Sequence, residues 1–203
     1  MGVDIENFHP GQRSEDCRAS IRAGEQTCVM IYAGRLAEEK RVKTLVAAYE
    51  QVKKETDARL VLIGEGPMYD QFAKKAEHDE GLTLRGYVSD KQELARWLAS
   101  ADVYVTAGPH ETFGISVIEA QACGLPVVGV DAGALVERVV PGAGLLGPVD
   151  DAQAMARHTL RAWREREEMG GRARQHVERN FTWPAAFESL LEGYEEAVES
   201  GAG

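Results

Sequence analysis

The sequence predicts an α/β fold: a doubly wound, Rossmann-like parallel sheet of about six strands, with extra helices near the C-terminus. Two observations lead to this class. Short segments that are apolar throughout alternate with longer segments whose apolar residues recur at helical spacing. Strands that are apolar on both faces are typical of a parallel sheet that helices cover on both sides.

The strand and helix signals follow one another in order along the chain. The first strand is predicted at residues 27–33 and its helix at 41–54, where Val42, Leu45 and Tyr49 fall on one face. The same unit then repeats, with strands predicted at 59–64, 82–86, 102–106, 126–130 and 144–146 and helices at 68–78, 90–99, 114–123 and 135–140.

The chain after residue 150 shows helical spacing only. Helices are predicted there at 151–166, 171–180 and 185–200. Polar side chains support several helix starts in the chain, because each stands where an N-cap residue accepts backbone hydrogen bonds. These predicted caps are Asp90, Thr112, Asp151 and Thr182.

Composition excludes several classes of function. The chain has 203 residues, 44% of them hydrophobic, and a formal net charge of −10, so it lacks the basic face that a nucleic-acid partner needs. It shows no apolar run of about 20 residues and no export signal, which predicts a soluble protein with a cytoplasmic location. Its three cysteines have no C-x-x-C spacing and are expected to stay reduced.

The loops that follow the strands are the candidate site, because ligands of open α/β sheets bind beyond the carboxyl ends of the strands. After the first strand, Arg35 and Lys40 follow Gly34. These three residues suit a diphosphate. The arginine can donate two parallel hydrogen bonds, the lysine supplies a compact positive charge, and the glycine lets the backbone come close to the ligand. The alternative, which the spacing alone favours, is a surface loop in which Lys40 pairs with Glu38 or Glu39.

Two further loops carry weaker signals. Gly64 and Gly66 follow the second strand, where they either let the backbone approach a ligand or make the turn that Pro67 closes. Tyr87 and Val88 follow the third strand and offer backbone groups and an apolar wall to a nucleobase. The alternative for this pair is an ordinary turn before the next helix.

The fourth loop runs into a helix and holds two carboxylates. Gly114 begins a helix whose free N–H groups and positive dipole end are expected to attract anions. Glu111 beside this helix start has a simple structural explanation, since a carboxylate at a helix N-terminus stabilises the helix by roughly 0.3–1 kcal/mol. Glu119 lies among apolar residues and is expected to be partly buried, so it needs hydrogen-bond donors. Vicinal ribose hydroxyls or a neighbouring loop would supply them.

The stretch ETFGISVIEAQACGLPVV, in which seven residues separate Glu111 from Glu119, resembles the E-x7-E signature of the group 1 retaining glycosyltransferases. Bacterial mannosyl- and glucosyltransferases and sucrose synthase typify this family. Further matches occur in order at 32–36 with Lys40, at 62–67, at 86–88 and at 181–183, so the resemblance covers nearly the whole chain. It implies one half of the two-domain GT-B fold.

The resemblance implies roles for individual residues. Glu119 would bind the donor ribose, Glu111 would face the transferred sugar, and Arg35 and Lys40 would neutralise the departing diphosphate. The predicted catalytic residues are therefore Arg35, Lys40 and Glu111. The predicted donor-binding residues are Gly34, Gly64, Gly66, Tyr87, Val88, His110, Phe113, Gly114, Ile115 and Glu119. No metal ion or cofactor is expected, because the two cations take over the electrostatic task of a metal.

The resemblance also predicts a division of the chain and a missing partner. Residues 1–24 resemble an interdomain linker with a first helix, 25–180 the nucleotide-sugar-binding domain, and 181–203 a crossover-type helix. The N-terminal domain that would supply the acceptor site is absent from the sequence, and any membrane contact would come from that domain. Two positions depart from the family pattern, since Arg41 and Ala132 stand where glycine is usual.

Two hypotheses of function follow. The favoured one is the donor-binding domain of a retaining glycosyltransferase that transfers a hexose from a nucleoside-diphosphate sugar, inactive by itself for lack of the acceptor domain. The alternative is a non-catalytic, glycosyltransferase-like subunit or interaction module. A sugar-nucleotide epimerase is disfavoured, because both the cation pair and the carboxylate pair match the transferase pattern. The sequence specifies neither the base, the hexose nor the acceptor.

Overall fold

The computed structural model describes residues 2–188 and residue 191. Its centre is a single sheet of six parallel strands in the order β3-β2-β1-β4-β5-β6. The strands are β1 (Cys28–Ala33), β2 (Ala58–Ile63), β3 (Leu82–Arg85), β4 (Val103–Val105), β5 (Val127–Val130) and β6 (Gly144–Gly147). This order confirms the doubly wound α/β fold that the sequence predicts.

Helices cover both faces of the sheet. They are α1 (Glu15–Ser20), α2 (Val42–Glu55), α3 (Tyr69–Ala76), α4 (Lys91–Ser100), α5 (Ile115–Ala122), α6 (Leu135–Arg138), α7 (Ala152–Arg164) and α8 (Arg166–Asn180). Two short 3-10 helices lie at Pro10–Gln12 and Glu38–Lys40. Helix α2 packs on α7, whereas α5 packs on α4 and α8. The central strands are buried on both faces, as their continuous apolar character predicts.

The strand order creates a crevice. The connections from β1 leave towards β2 and those from β4 leave towards β5, in opposite directions along the sheet. Because parallel crossovers are right-handed, the helices that follow these two adjacent strands lie on opposite faces. The loops after β1 and β4 therefore diverge, and a ligand site is expected between them.

The predicted helix starts are largely confirmed, with one boundary wrong. Asp90 and Asp151 accept backbone hydrogen bonds at the starts of α4 and α7. Helix α8, however, begins at Arg166 and not at the predicted residue 171. Gly170 lies inside the helix, before the predicted start, and a Cβ there would overlap the carbonyl oxygen of Gly124.

The two ends of the described chain meet on this domain. The backbone N–H of Val3 donates to the carbonyl of Phe181 at 2.7 Å, and Phe8 is buried in the core. Thr182 Oγ1 accepts from the N–H of Ala185 at 3.2 Å, which confirms the predicted cap. Residues 183–188 and residue 191 are helical, and the rest of the helix predicted at 185–200 lies outside the described residues.

A buried ion pair joins β1 to β4 at the edge opposite the crevice. The Arg18 guanidinium, 2% exposed, donates to Asp102 Oδ2 at 3.2 Å and to the carbonyls of Ser100 and Thr27 at 3.0 and 3.2 Å. Asp102 Oδ2 also accepts from the N–H of Val29 in β1 at 2.8 Å. The pair thus fixes the start of β4 against β1, the two strands that flank the crevice.

We predict that Arg18→Ala lowers the free energy of unfolding by about 3–5 kcal/mol, because it leaves the buried Asp102 carboxylate with only the more distant Arg166, 3.7 Å away, as a cation. Urea unfolding followed by circular dichroism measures this loss. The matched control is Arg161→Ala, which removes an exposed pair with Glu165 and should change stability by less than about 1 kcal/mol. Equal losses in the two variants would contradict the importance of the buried pair.

Candidate functional site

Two adjoining cavities of about 330 and 350 Å³ lie at the carboxyl edge of the sheet. Both are lined by Ala33, Gly34, Arg35, Ser116 and Glu119. The first, named the base-side cavity because the sequence predicts a nucleobase beside Tyr87 and Val88, is further lined by Ile63, Gly64, Glu65, Tyr87, Val88 and Leu94. The second, named the sugar-side cavity because the resemblance implies a sugar that Glu111 faces, is further lined by Tyr32, Lys40, Thr106, Glu111, Phe113 and Ile115. The crevice expected from the strand order is therefore present.

Most of the predicted site residues line one of these cavities. The predicted catalytic residues Arg35, Lys40 and Glu111 all do so, as do seven of the predicted donor-binding residues. The three that line neither cavity are Gly66, His110 and Gly114. The roles predicted for all these residues remain predictions.

The glycines after β2 serve the packing of one loop on another. Gly64 has φ +137°, and a Cβ there would overlap the carbonyl oxygen of Gly34. A Cβ at Gly66 would likewise overlap the carbonyl oxygen of Leu36. The backbone N–H of Leu36 donates to the carbonyl of Glu65 at 2.8 Å, so the two loops are also joined by a hydrogen bond. These contacts require glycine at both positions whether or not a ligand binds, and the two interpretations of the pair, approach to a ligand or a turn that Pro67 closes, remain predictions. Close packing of these loops shapes the floor of the base-side cavity.

Lys40 pairs across the crevice and not within its own loop. Its Nζ donates to Glu111 Oε2 at 2.8 Å, and both side chains are about one quarter exposed. The surface-loop interpretation, in which Lys40 pairs with Glu38 or Glu39, is therefore wrong. Glu39 instead lies 3.8 Å from Arg35, and Glu38 contacts a lysine in the first turn of α2. Arg35 remains about two-thirds exposed, with its guanidinium open to the cavities.

Glu111 also lies at the start of α5. Its Oε1 accepts from the backbone N–H of Gly114 at 3.3 Å, so the carboxylate lies at the positive end of the helix. Thr112 was the predicted cap, and this prediction is wrong. The helix begins at Ile115, with Gly114 at the N-cap in the left-handed conformation, so Thr112 lies too far before the first turn.

Glu119 is the buried charge of the site, with 8% of its surface exposed. Burial raises the pKa of its carboxyl group, and Lys91, whose Nζ lies 3.8 Å away, partly opposes that rise. No side chain or backbone N–H of the described residues donates a hydrogen bond to this carboxylate. The structural alternative, a hydrogen bond from a neighbouring loop, is thus not found within the described chain. The carboxylate faces both cavities.

The backbone accommodates both departures from the family pattern. Arg41 has φ +52°, in the left-handed region that favours glycine, and still forms the N-cap of α2. Beyond Ala132, Gly133 has φ +58°, and a Cβ there would lie 2.7 Å from the Pro109 carbonyl and 3.0 Å from that of Glu111. The close approach in this loop is therefore made to the loop that carries Glu111.

Three site features were missed by sequence reasoning. Ser116 lines both cavities and lies one turn before Glu119, so helical spacing alone was sufficient to find it. Arg138 donates to the carbonyl of Phe113 at 3.2 Å and holds the loop before α5. Tyr104, buried beneath Ser116, gave no sequence signal, because it reads as one more apolar position of a strand.

A larger cavity of about 680 Å³ lies at the opposite edge of the sheet. Its lining is rich in cations, but Arg22 pairs with Glu80 and Lys53 with Asp79, so these charges are already matched. Within the described chain, no group of three or more His, Cys, Asp and Glu side chains is placed to hold a metal ion. No helix among the same residues is long and apolar enough to cross a membrane.

Comparisons with known proteins agree with the fold and identify a family. The family described as "Glycosyl transferases group 1" matches residues 27–165. A GDP-mannose-dependent alpha-(1-6)-phosphatidylinositol dimannoside mannosyltransferase of Mycobacterium tuberculosis is 36% identical over 94% of this chain and 50% of its own length. The chain spans about half the length of the curated relatives it matches.

Solved structures of glycosyltransferases share the fold of this chain. Sucrose-phosphate synthase from Thermosynechococcus elongatus superposes with a TM-score of 0.79 at 27% identity, over 98% of this chain and 52% of that one. The pneumococcal O-GlcNAc transferase GtfA, solved in complex with UDP and GlcNAc, superposes with a TM-score of 0.69 at 27% identity, over 85% of this chain and 35% of that one.

We predict that Gly133→Ala lowers the free energy of unfolding by about 2 kcal/mol, since the left-handed backbone and the contacts with the loop of Glu111 both oppose a Cβ. Urea unfolding measures the change. The control is Gly171→Ala in α8, where a Cβ meets nothing within 4 Å and should stabilise by about 0.5–1 kcal/mol. If Gly133→Ala leaves the free energy of unfolding unchanged, the contact between the two loops is dispensable.

Proposed function

The chain belongs to the group 1 glycosyl transferases, and from this premise we propose that it is the half of such an enzyme that binds a nucleoside-diphosphate sugar. The observation that carries the proposal is the buried carboxylate of Glu119, which lacks a hydrogen-bond donor within the described chain and faces both cavities. Burying an ionised carboxylate is costly unless donors satisfy it. A ligand with adjacent hydroxyls supplies such donors, and a ribose has two.

The two cavities suit the parts of the donor in order. The base lies in the base-side cavity against Val88 and Leu94, and the ribose hydroxyls donate to Glu119. The diphosphate lies between the cavities, beside Arg35 and the free N–H groups at the start of α5. The hexose then occupies the sugar-side cavity near Glu111. The complex of GtfA with UDP and GlcNAc, a structural neighbour at 27% identity, supports this class of ligand.

We further propose that the reaction retains the configuration of the transferred hexose. The bond between the anomeric carbon and the phosphate oxygen breaks, and its electron pair stays on the diphosphate. The acceptor oxygen forms its bond to the anomeric carbon on the face that the diphosphate leaves, and the acceptor's proton passes to the departing phosphate oxygen. Arg35 and Lys40, both at the sugar-side cavity, stabilise this growing negative charge, so the proposed reaction needs no metal ion. Glu111 orients the hexose hydroxyls and, through its 2.8 Å contact with Lys40, competes with the diphosphate for that cation.

The acceptor is proposed to bind to a second domain. The chain spans about half of its curated relatives, which are named for complete transfer reactions. Transfer requires the reacting groups to be held together, and this half provides only one wall of the cleft. We therefore propose that the 203-residue chain binds the donor without transferring the sugar at an appreciable rate.

We predict that at least one of UDP, GDP and ADP binds the chain with a dissociation constant below about 1 mM by isothermal titration calorimetry, and that Glu119→Gln weakens this binding at least tenfold. The loss follows because an amide is a poorer acceptor for two hydroxyl donors than a carboxylate. Glu50→Gln, an exposed carboxylate on α2, is the matched control and should bind as the unmodified chain does. If none of the three nucleotides binds at millimolar concentration, the proposed function fails.

The same Glu119→Gln variant is predicted to melt at a higher temperature than the unmodified chain at pH 7. Because the pKa of Glu119 is raised on folding, the folded chain keeps this proton to a higher pH than the unfolded chain does. The stabilisation that comes from protonated Glu119 is fully present below the ordinary pKa of glutamate, and it is lost as the pH rises through the raised pKa. The difference in melting temperature should therefore disappear below about pH 4. A lower melting temperature for the variant at pH 7 contradicts the prediction.

Lys40→Met and Glu111→Gln are predicted to change nucleotide affinity in opposite directions. Removing the cation weakens binding of the diphosphate, roughly tenfold or more for a charge-assisted contact. Removing the carboxylate frees Lys40 from its partner and tightens nucleoside-diphosphate binding, by up to about fivefold. Calorimetry with the nucleotide that binds best measures both. Weaker binding in both variants would show that the ion pair acts only as a structural unit.

A further inference from the structure

Ser116 occupies the junction of the two cavities. It is one of the five residues that line both, together with Glu119 on the same helix. The two side chains are three residues apart and so lie on one face of α5, with Ser116 roughly 4.5 Å nearer the start of the helix. A ligand that places its ribose at Glu119 and its hexose at Glu111 therefore passes Ser116 with the groups between them. In a nucleoside-diphosphate sugar these groups are the two phosphates.

The buried hydroxyl of Tyr104 contacts the hydroxyl of Ser116 on the core side of the helix. Its ring is 1% exposed in the core, and its hydroxyl oxygen lies 2.9 Å from Ser116 Oγ and 3.1 Å from the carbonyl oxygen of Ala33. Burial raises the pKa of the phenol far above its ordinary value, so this hydroxyl keeps its proton. Tyr104 thus has one proton and two neighbouring acceptors.

The direction of these hydrogen bonds decides what Ser116 offers to a ligand. If Tyr104 donates to the carbonyl of Ala33, the hydroxyl of Ser116 donates to Tyr104 and presents only lone pairs to the crevice. If Tyr104 donates to Ser116 Oγ, the proton of Ser116 is free for the ligand. An anionic oxygen favours the second arrangement, because it accepts a hydrogen bond and repels lone pairs.

We propose that Ser116 donates a hydrogen bond to the diphosphate of the donor, and that Tyr104 is a positioning residue that keeps Ser116 directed into the crevice by donating to its oxygen. The inference rests on the proposed function, since it needs a diphosphate between Glu119 and Glu111. It adds a neutral donor beside Arg35, whose side chain is about two-thirds exposed and lies 3.8 Å from Glu39. A short serine with a buried partner, in contrast, is fixed before the ligand arrives.

The first test compares nucleotides with nucleosides. Calorimetric titrations of UDP, GDP and ADP, and of uridine, guanosine and adenosine, are made with the unmodified chain and with Ser116→Ala. We expect Ser116→Ala to weaken binding of the preferred diphosphate roughly tenfold, as for a hydrogen bond to a charged group, and to leave the matching nucleoside unchanged. Ser20→Ala, an exposed serine on α1, is the control and should alter neither affinity.

The second test is a double-mutant cycle with Tyr104→Phe. We expect Tyr104→Phe alone to weaken diphosphate binding about two- to fivefold and to have no further effect in the Ser116→Ala background, because the tyrosine acts through the serine. Tyr49→Phe removes a hydroxyl that bonds Asp79 at the opposite edge of the sheet and serves as the matched control. Thermal unfolding of each variant shows whether the fold is kept.

The outcomes distinguish failure of the proposed donor site from failure of the role of Ser116. If no nucleoside diphosphate binds the unmodified chain, the proposed function fails and this inference fails with it. If a diphosphate binds and Ser116→Ala binds it equally well, or weakens the nucleoside to the same extent, only the role of Ser116 is overturned. Additive losses for Ser116→Ala and Tyr104→Phe would overturn the positioning role of Tyr104.

Discussion

The site depends on one constraint of the sheet: β1 and β4 are neighbours, while the chain leaves them in opposite directions. Right-handed crossovers then send the two following helices to opposite faces, and the loops between strand and helix must separate. The two loops border one crevice, and Lys40 on the first contacts Glu111 on the second across it, although the two residues are 71 positions apart in the chain. At the other edge, Arg18 and Asp102 hold the same two strands at a fixed offset. The crevice is therefore built on a rigid base.

Charges in the crevice are arranged at some cost to the fold. Glu119 is buried at the crevice without a hydrogen-bond donor from the described chain, and burial raises its pKa although Lys91 lies 3.8 Å away. Glu111 is better satisfied, because it lies at a helix start and contacts Lys40. Ser116 and Tyr104 satisfy one another. Among these crevice side chains, Glu119 is the one without a hydrogen-bond donor from the described residues, and it is the one for which a ligand is proposed.

Sequence reasoning recovered the strands because short, continuous apolar runs between amphipathic helices indicate strands buried on both faces. It placed the loops because a parallel sheet fixes which ends of the strands carry them. It failed where tertiary contacts decide. Helix α8 begins before its predicted start and includes Gly170, which packs closely against Gly124. Thr112 was predicted as a cap but lies too far before α5. The partner of Lys40 lies on another loop, so no local pattern specifies it. Tyr104 resembles any apolar strand residue until its hydroxyl is seen beneath Ser116.

The pairing of charges in the crevice has a consequence for the rate of encounter. Around the sugar-side cavity, Arg35 and Lys40 are balanced by Glu111 and Glu119, and the whole chain carries a formal charge of −10. An anionic ligand diffusing towards this surface is not drawn in by long-range attraction and meets mild repulsion instead. Capture then depends on short-range contacts after collision. Added salt, by screening the repulsion, speeds association in place of slowing it.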